Sequence, residues 1–167
     1  MMFKKSVALF CLFLVGCGSS AQHEARLKFT EEAKKSGLPI IIEKIEHDPP
    51  HSAGGVHVDI EVTNISDKPI KYLNYSLKPY NAVGDLVRGE IKRTSLERIR
   101  EVGPIAPGER SSRNWHWENV WYNSTIKCIR VTRISITYMD KSSRTFSSSS
   151  AIDKMLRPGV KNSCDLN

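Results

Sequence analysis

The hydrophobic pattern changes period along the chain, and each change marks an element. Residues 7–15 are almost uniformly apolar behind Lys4 and Lys5. Residues 24–35 are rich in helix formers, with a thin apolar face of Ala25, Phe29 and Ala33 and with Leu27 to one side. Gly37 and Pro39 stop that pattern, which predicts a short helix. From Pro39 the period is two. Ile40-Ile41-Ile42, followed by Lys44 and Ile45, predicts a first strand. A loop over residues 47–55 carries Pro49-Pro50 and Gly54-Gly55. Val56, Val58, Ile60 and Val62 then alternate with His57, Asp59, Glu61 and Thr63, as in a strand with one buried face.

The same reading predicts extended segments over residues 70–80, 86–94, 96–102, 113–117, 126–138 and 144–147. Turns are expected at Asn64-Ile65-Ser66-Asp67-Lys68-Pro69, at Asn81-Ala82-Val83-Gly84-Asp85, across residues 118–124 and at Asp140-Lys141-Ser142-Ser143. Residues 151–156 have room for one or two helical turns before Pro158-Gly159. About seven short strands, with no alternation of strand and helix, predict an all-β fold, a single antiparallel β-sandwich. The expected organisation is a signal peptide over residues 1–16 and a short, helical tether over 17–37. The β-sandwich domain follows over 38–147 and a C-terminal tail over 148–167.

The N-terminal apolar run is too short to span a bilayer as a mature helix and has the layout of a secretory signal. Its last residues, Leu14-Val15-Gly16-Cys17, resemble a bacterial lipobox. That resemblance implies cleavage between Gly16 and Cys17 and a lipid-bearing Cys17, palmitate included, as the new N-terminus. Several acyl chains, at about 0.8 kcal/mol per buried methylene, hold a protein on a membrane where one chain does not. The competing reading is a simple secretory signal cut after Gly18 or Ala21. In lipoproteins of Gram-negative bacteria an Asp after the cysteine marks inner-membrane retention. Gly18 and Ser19 stand here instead, so the expectation is a cell-envelope protein of the outer membrane, on its periplasmic side or its surface.

Removing residues 1–16 leaves 151 residues and lowers the net charge from +7 to +5. The basic residues are spread along the strands, Arg130 and Arg133 among them, and read as solvated strand faces beside Glu and Asp. No dense basic stripe points to nucleic acid. Anionic headgroups or cell-wall polymers are a weaker use of the charge. Of four cysteines, Cys11 leaves with the signal and Cys17 takes lipid. An even remainder in an exported chain suggests a Cys128–Cys164 disulfide, with a buried free thiol at Cys128 as the alternative.

Val62-Thr63-Asn64-Ile65-Ser66-Asp67-Lys68-Pro69-Ile70 and Leu77-Lys78-Pro79-Tyr80-Asn81-Ala82-Val83-Gly84-Asp85 resemble the FxLYD-like group of immunoglobulin-like domains in exported bacterial proteins. Pro104-Ile105-Ala106-Pro107-Gly108-Glu109 matches another element of the same domains. The resemblance covers residues 54–146. It implies an immunoglobulin-like β-sandwich and an envelope setting, and no catalytic residues. The chain departs from the pattern at Pro79-Tyr80-Asn81, where the group has Leu-Tyr-Asp, and adds an aromatic block over residues 115–123.

In that block Trp115 and Trp117 are expected on one strand face, with Trp121 and Tyr122 in the next turn. Exposed, they would form a sugar-stacking platform; the alternative is that they fill and plug the core. His47, Asp48, His51 and His57 are of metal-ligating type, but their spacing matches no established motif, so a solvated loop is preferred and no metal is expected. Asn64-Ile65-Ser66, Asn74-Tyr75-Ser76 and Asn123-Ser124-Thr125 fit glycosylation sequons by coincidence. No Gly-x-Ser-x-Gly, His-Glu-x-x-His, phosphate loop or carboxylate pair occurs. The expectation is a lipid-anchored, non-catalytic binding module without a cofactor. Its partner would be an envelope protein or a glycan; the alternatives are an assembly accessory of an envelope complex and a cell-wall glycan-binding module.

Overall fold

The computed structural model describes residues 18–111 and 116–164. The elements are α1 (Gly18–Lys35), β1 (Ile40–His47), β2 (Gly55–Asn64), β3 (Ile70–Tyr80), β4 (Glu97–Ile105), β5 (His116–Tyr122), β6 (Cys128–Tyr138), β7 (Ser143–Phe146) and α2 (Ser149–Asp153). Two antiparallel sheets, ordered β1-β2-β5 and β4-β3-β6-β7, pack as a sandwich. In constant-type immunoglobulin domains the first, second, fourth and fifth strands share a sheet. Here β4 pairs with β3 instead.

Period-two alternation decides the core. Val56, Val58, Ile60 and Val62 of β2 meet Leu73, Tyr75 and Leu77 of β3 and Val131, Ile134 and Ile136 of β6 between the sheets. The unbroken Ile40-Ile41-Ile42 has a separate cause, because β1 is covered on both faces. Ile40 and Ile42 enter the main core. Ile41 points the other way, into a second cluster with Ala33 of α1 and Ile65, against which Phe29 and Leu38 pack. The predicted helix is therefore longer than expected and docked over β1 rather than a free spacer. At the end of β2 the buried Asn64 holds the turn into β3. Its amide donates to the carbonyls of Lys68 and Ile105 at 3.0 and 2.9 Å, and its Oδ1 accepts from the Ser66 amide and hydroxyl at 3.0 and 2.7 Å.

Residues 148–164 are part of the fold, not an appendage. Ile152 and Met155 are 0% exposed. Leu156 bridges Ile42 in parallel, with Ile42 N–H donating to the Met155 carbonyl at 2.7 Å and Arg157 N–H to the Ile42 carbonyl at 2.9 Å. Further on, Asn162 imitates a strand with its side chain, accepting from Val131 N–H at 2.7 Å and donating to the Val131 carbonyl at 2.9 Å. Cys128 and Cys164 are joined in the expected disulfide, with Cα atoms 5.6 Å apart. The tail thus satisfies the free edge of β1 in one sheet and, in the other, the part of β6 that β7 leaves unpaired.

Two expectations are corrected. Residues 86–94 form no strand: after the single bridge Tyr80↔Leu86 they turn and fold across β5. Glu90 N–H donates to the Tyr122 carbonyl at 2.8 Å, and Asn123 Nδ2 donates to the Arg88 carbonyl at 2.7 Å. Gly89 lies so close to Trp121 that an added Cβ would stand 3.1 Å from its ring. Conversely, residues 118–122, expected in a turn, belong to β5. Its pairing with β2 is irregular between Val56 and Val58, and Asn119 has a φ of 52°, so the side chains lose the alternation by which a strand is read.

A charged clamp fastens the tail to the rest. Glu43 sits where the β1–β2 register shifts, and its carboxylate is 3% exposed. Arg157 grips it with both arms of the guanidinium, Nε to Oε2 at 3.0 Å and Nη2 to Oε1 at 2.5 Å. Thr63 Oγ1 donates to Oε1 at 2.7 Å, and Arg26 of α1 reaches Oε2 at 3.3 Å. Burial alone pushes the Glu43 carboxyl up, but the hydrogen bonds from Arg157 and Thr63 and the charges of Arg157 and Arg26 outweigh it and hold it below its ordinary value. Removing one partner of such a pair strands a buried charge. Arg157→Ala is therefore expected to cost about 3 kcal/mol at neutral pH, read as a lower urea midpoint. The cost should shrink as pH falls, because burial without Arg157 favours the protonated form of Glu43.

Candidate functional site

Register places a distinct set of side chains on the outer face of the four-stranded sheet. From β3 come Tyr72, Asn74, Ser76 and Lys78; from β4, Arg98, Arg100 and Val102. From β6 come Arg130, Arg133, Ser135 and Thr137, and from β7, Ser143 and Thr145. Five of these are cations and none is an Asp or Glu. Arg130 and Arg133, three apart, would face opposite sides of a regular strand. The register shift between Ser76 and Leu77 absorbs Thr132, so that Arg133 pairs with Ser76 and Arg130 with Lys78, both outward.

Among the described residues none of Lys78, Arg98, Arg100, Arg130 or Arg133 makes an ion pair. Arg100 Nε donates to Asn74 Oδ1 at 2.8 Å, and Arg130 Nε to the Asn162 carbonyl at 3.2 Å. Arg100 and Lys71 lie 5.1 and 5.0 Å from the Tyr72 ring centroid. Ser135 and Thr145 share a hydrogen bond at 3.1 Å. Between the guanidinium groups is a shallow depression lined by Asn74, Ser76, Arg98, Arg100, Arg133 and Ser135.

The acids of β1 and β2 in the other sheet are engaged. Lys44 bridges Glu46 at 2.9 Å and Asp59 at 3.2 Å, Arg110 bonds Glu61, and Glu43 is clamped. The basic and acidic strand residues, expected side by side, are thus separated between the two faces of the sandwich, and the net positive charge collects on one.

The residues singled out from sequence fare differently. Gly16, Cys17 and Trp115 lie outside the described residues. Trp121 is only 2% exposed and packed in the core under the loop of residues 86–94, where its indole N–H has no partner among the described residues. Trp117 is half-buried and meets Tyr75 edge-on, ring centroids 5.9 Å apart. Tyr122 is half-buried beside His51, at 6.3 Å. Trp117 and Trp121 form no flat exposed platform, because β5 packs on the core through them. His51 bonds Asn119 Oδ1 at 2.9 Å and lies 5.9 Å from His57, ring to ring, while His47 contacts the Asp48 carbonyl at 3.4 Å. Among the described residues no three of His, Cys, Asp and Glu gather as a metal-ligand set.

Glu101 was legible only as one charge on a strand; the structure turns it inward. It is 1% exposed, its Oε2 accepts from the Tyr75 hydroxyl at 3.4 Å, and its Oε1 has no partner among the described residues. Burial pushes its carboxyl up to about 7, more than hydrogen bonds from Ser111 and Tyr75 bring it down. Comparison with protein-family models, with curated proteins and with solved structures finds no match to this chain.

The native Glu101 keeps a proton that the unfolded chain releases near its ordinary value of 4.5. The folded state therefore binds more protons between about pH 4.5 and 7, and stability falls as pH rises through that window, by up to about 3 kcal/mol. Denaturant titrations across pH 4–8 should show the fall. Glu101→Gln should flatten it and be the more stable protein at pH 8.

Proposed function

We propose that this chain is an exported, lipid-anchored protein of the bacterial cell envelope that acts as a binding module rather than an enzyme. Leu14-Val15-Gly16-Cys17 supports the anchor, with Cys17 carrying the lipid. The turn motifs over residues 62–70 and 77–85 support kinship with FxLYD-like, immunoglobulin-like domains of exported proteins, and the absence of Asp from positions 18 and 19 favours the outer membrane. The single observation that carries the binding role is the outer face of the four-stranded sheet. It presents Lys78, Arg98, Arg100, Arg130 and Arg133 without a carboxylate among its described residues.

Like charges crowded on a sheet repel one another and weaken the fold. Keeping them unpaired fits a surface that meets an anion outside the chain. α1 begins at Gly18 and docks over β1 through Phe29 and Ala33, so a lipid on Cys17 would hold the domain within about one helix length of the bilayer. Cys17→Ser is expected to abolish incorporation of labelled palmitate and to move the protein from the membrane pellet to the soluble envelope fraction. Unchanged sedimentation and labelling would remove the anchor.

A further inference from the structure

The depression ringed by Arg98, Arg100 and Arg133 has the chemistry of a subsite for an extended polymer. Arg98 and Arg100 are two apart on β4, so their Cα atoms are about 7 Å apart along the strand. Arg98 and Arg133 flank Ser76 on either side, about 10 Å apart across the sheet. Guanidinium forks in this arrangement match planar oxyanions by paired hydrogen bonds. Asn74, Ser76 and Ser135 stand between them and offer hydroxyl and amide groups at the spacing of neighbouring strands.

From this juxtaposition we infer that the outer face of the four-stranded sheet binds a linear acidic polysaccharide, its carboxylates on the arginines and its hydroxyls on the amide and serine groups. The inference rests on the reading of the chain as a binding module and names that module's ligand. The face is flat and polar, with Val102 its one exposed large apolar side chain, so it has little with which to enter a lipid bilayer. Its aromatic, Tyr72, is already covered by Arg100 and Lys71, which removes the stacking surface that single-stranded nucleic acid uses.

The test uses the full chain, purified in non-ionic detergent, on immobilised polygalacturonate. If three guanidiniums engage, each doubling of salt should weaken binding about fourfold. Arg98→Gln with Arg133→Gln should weaken it at least about tenfold and flatten the salt dependence. Melting temperature monitors folding of this pair, whose side chains are exposed. Lys34→Gln with Lys154→Gln, beside α1 and α2, should bind as the parent does. Ser135→Ala should weaken polygalacturonate alone.

Undiminished binding by the folded arginine variant overturns the site. So does binding of the lipid-free Cys17→Ser chain to phosphatidylglycerol vesicles that polygalacturonate fails to displace. Equal binding of linear polyphosphate, with Ser135→Ala without effect, overturns the glycan assignment. Palmitate labelling of the same preparation separates the two readings: label without polygalacturonate binding overturns this site alone. Binding without label supports the site and overturns only the anchor.

Discussion

The sandwich depends on how its open side is shut, and the Arg157–Glu43 pair does that. Between the free edge of β1 and the half of β6 that β7 leaves unpaired there is, among the described residues, no further strand, only the tail. Arg157 is the point where it is held. Its backbone N–H extends the edge of β1 through Ile42, its side chain clamps Glu43, and its Nη1 donates to the Arg26 carbonyl at 3.2 Å. It also lies over the Phe29 ring, 5.3 Å from the centroid. One side chain therefore joins first helix, first strand and last segment. Its neighbours Ile152 and Met155 are drawn into the core, and the Cys128–Cys164 bond fixes the far end of the same segment. On the chain-entropy account a loop of this size contributes about 3–4 kcal/mol through the unfolded state, which the clamp does not. The two devices act on different ends of the equilibrium.

The clamp also explains the distribution of charge. Acids on the three-stranded sheet lie under α1 or beside Lys44 and Arg110, where burial would make an unpaired carboxylate costly. Glu43, Glu46, Asp59 and Glu61 each have a cation to hand. The four-stranded sheet has no helix over its outer face, so its arginines are hydrated and need no partner. A sandwich with one face covered and one bare can keep its unbalanced charge only on the bare one. Glu101 is the exception, a carboxyl placed in the core, and it accommodates burial by taking up a proton near neutrality instead of finding a cation.

Most of the fold was legible because it is written in period two. β2 alternates cleanly, as does β6 from Ile134 to Tyr138, and the Asn64 turn announces itself by side chains that bond their own backbone. What escaped was irregular backbone. The shift at Thr132 hides that Arg130 and Arg133 share a face, so the cationic surface could have been found only by laying β3, β4 and β6 side by side with that bulge in place. The shift between Val56 and Val58 likewise disguises β5. The docking of α1 was hinted at by Ile41, an apolar residue on the wrong side for a half-buried strand. No local pattern announces that a serine-rich tail will complete a core, since the partners of Ile152 and Met155 lie more than a hundred residues earlier, around Ile40 and Ile42.

The proposed anchor and the cationic surface also constrain each other. On the proposal that Cys17 carries a lipid, the domain stays close to the bilayer, and a ligand on the bare sheet must be reachable from there. A small diffusible anion has no need of such an arrangement, because it reaches any orientation. A polymer fixed in the same envelope would, and the proposed anchor would raise its effective concentration at the face without any new contact. Individually weak, salt-sensitive guanidinium contacts then suffice. A flat face with several equivalent cations and no deep pocket is suited to that regime, in which affinity comes from repeated engagement and not from the enclosure of a single group.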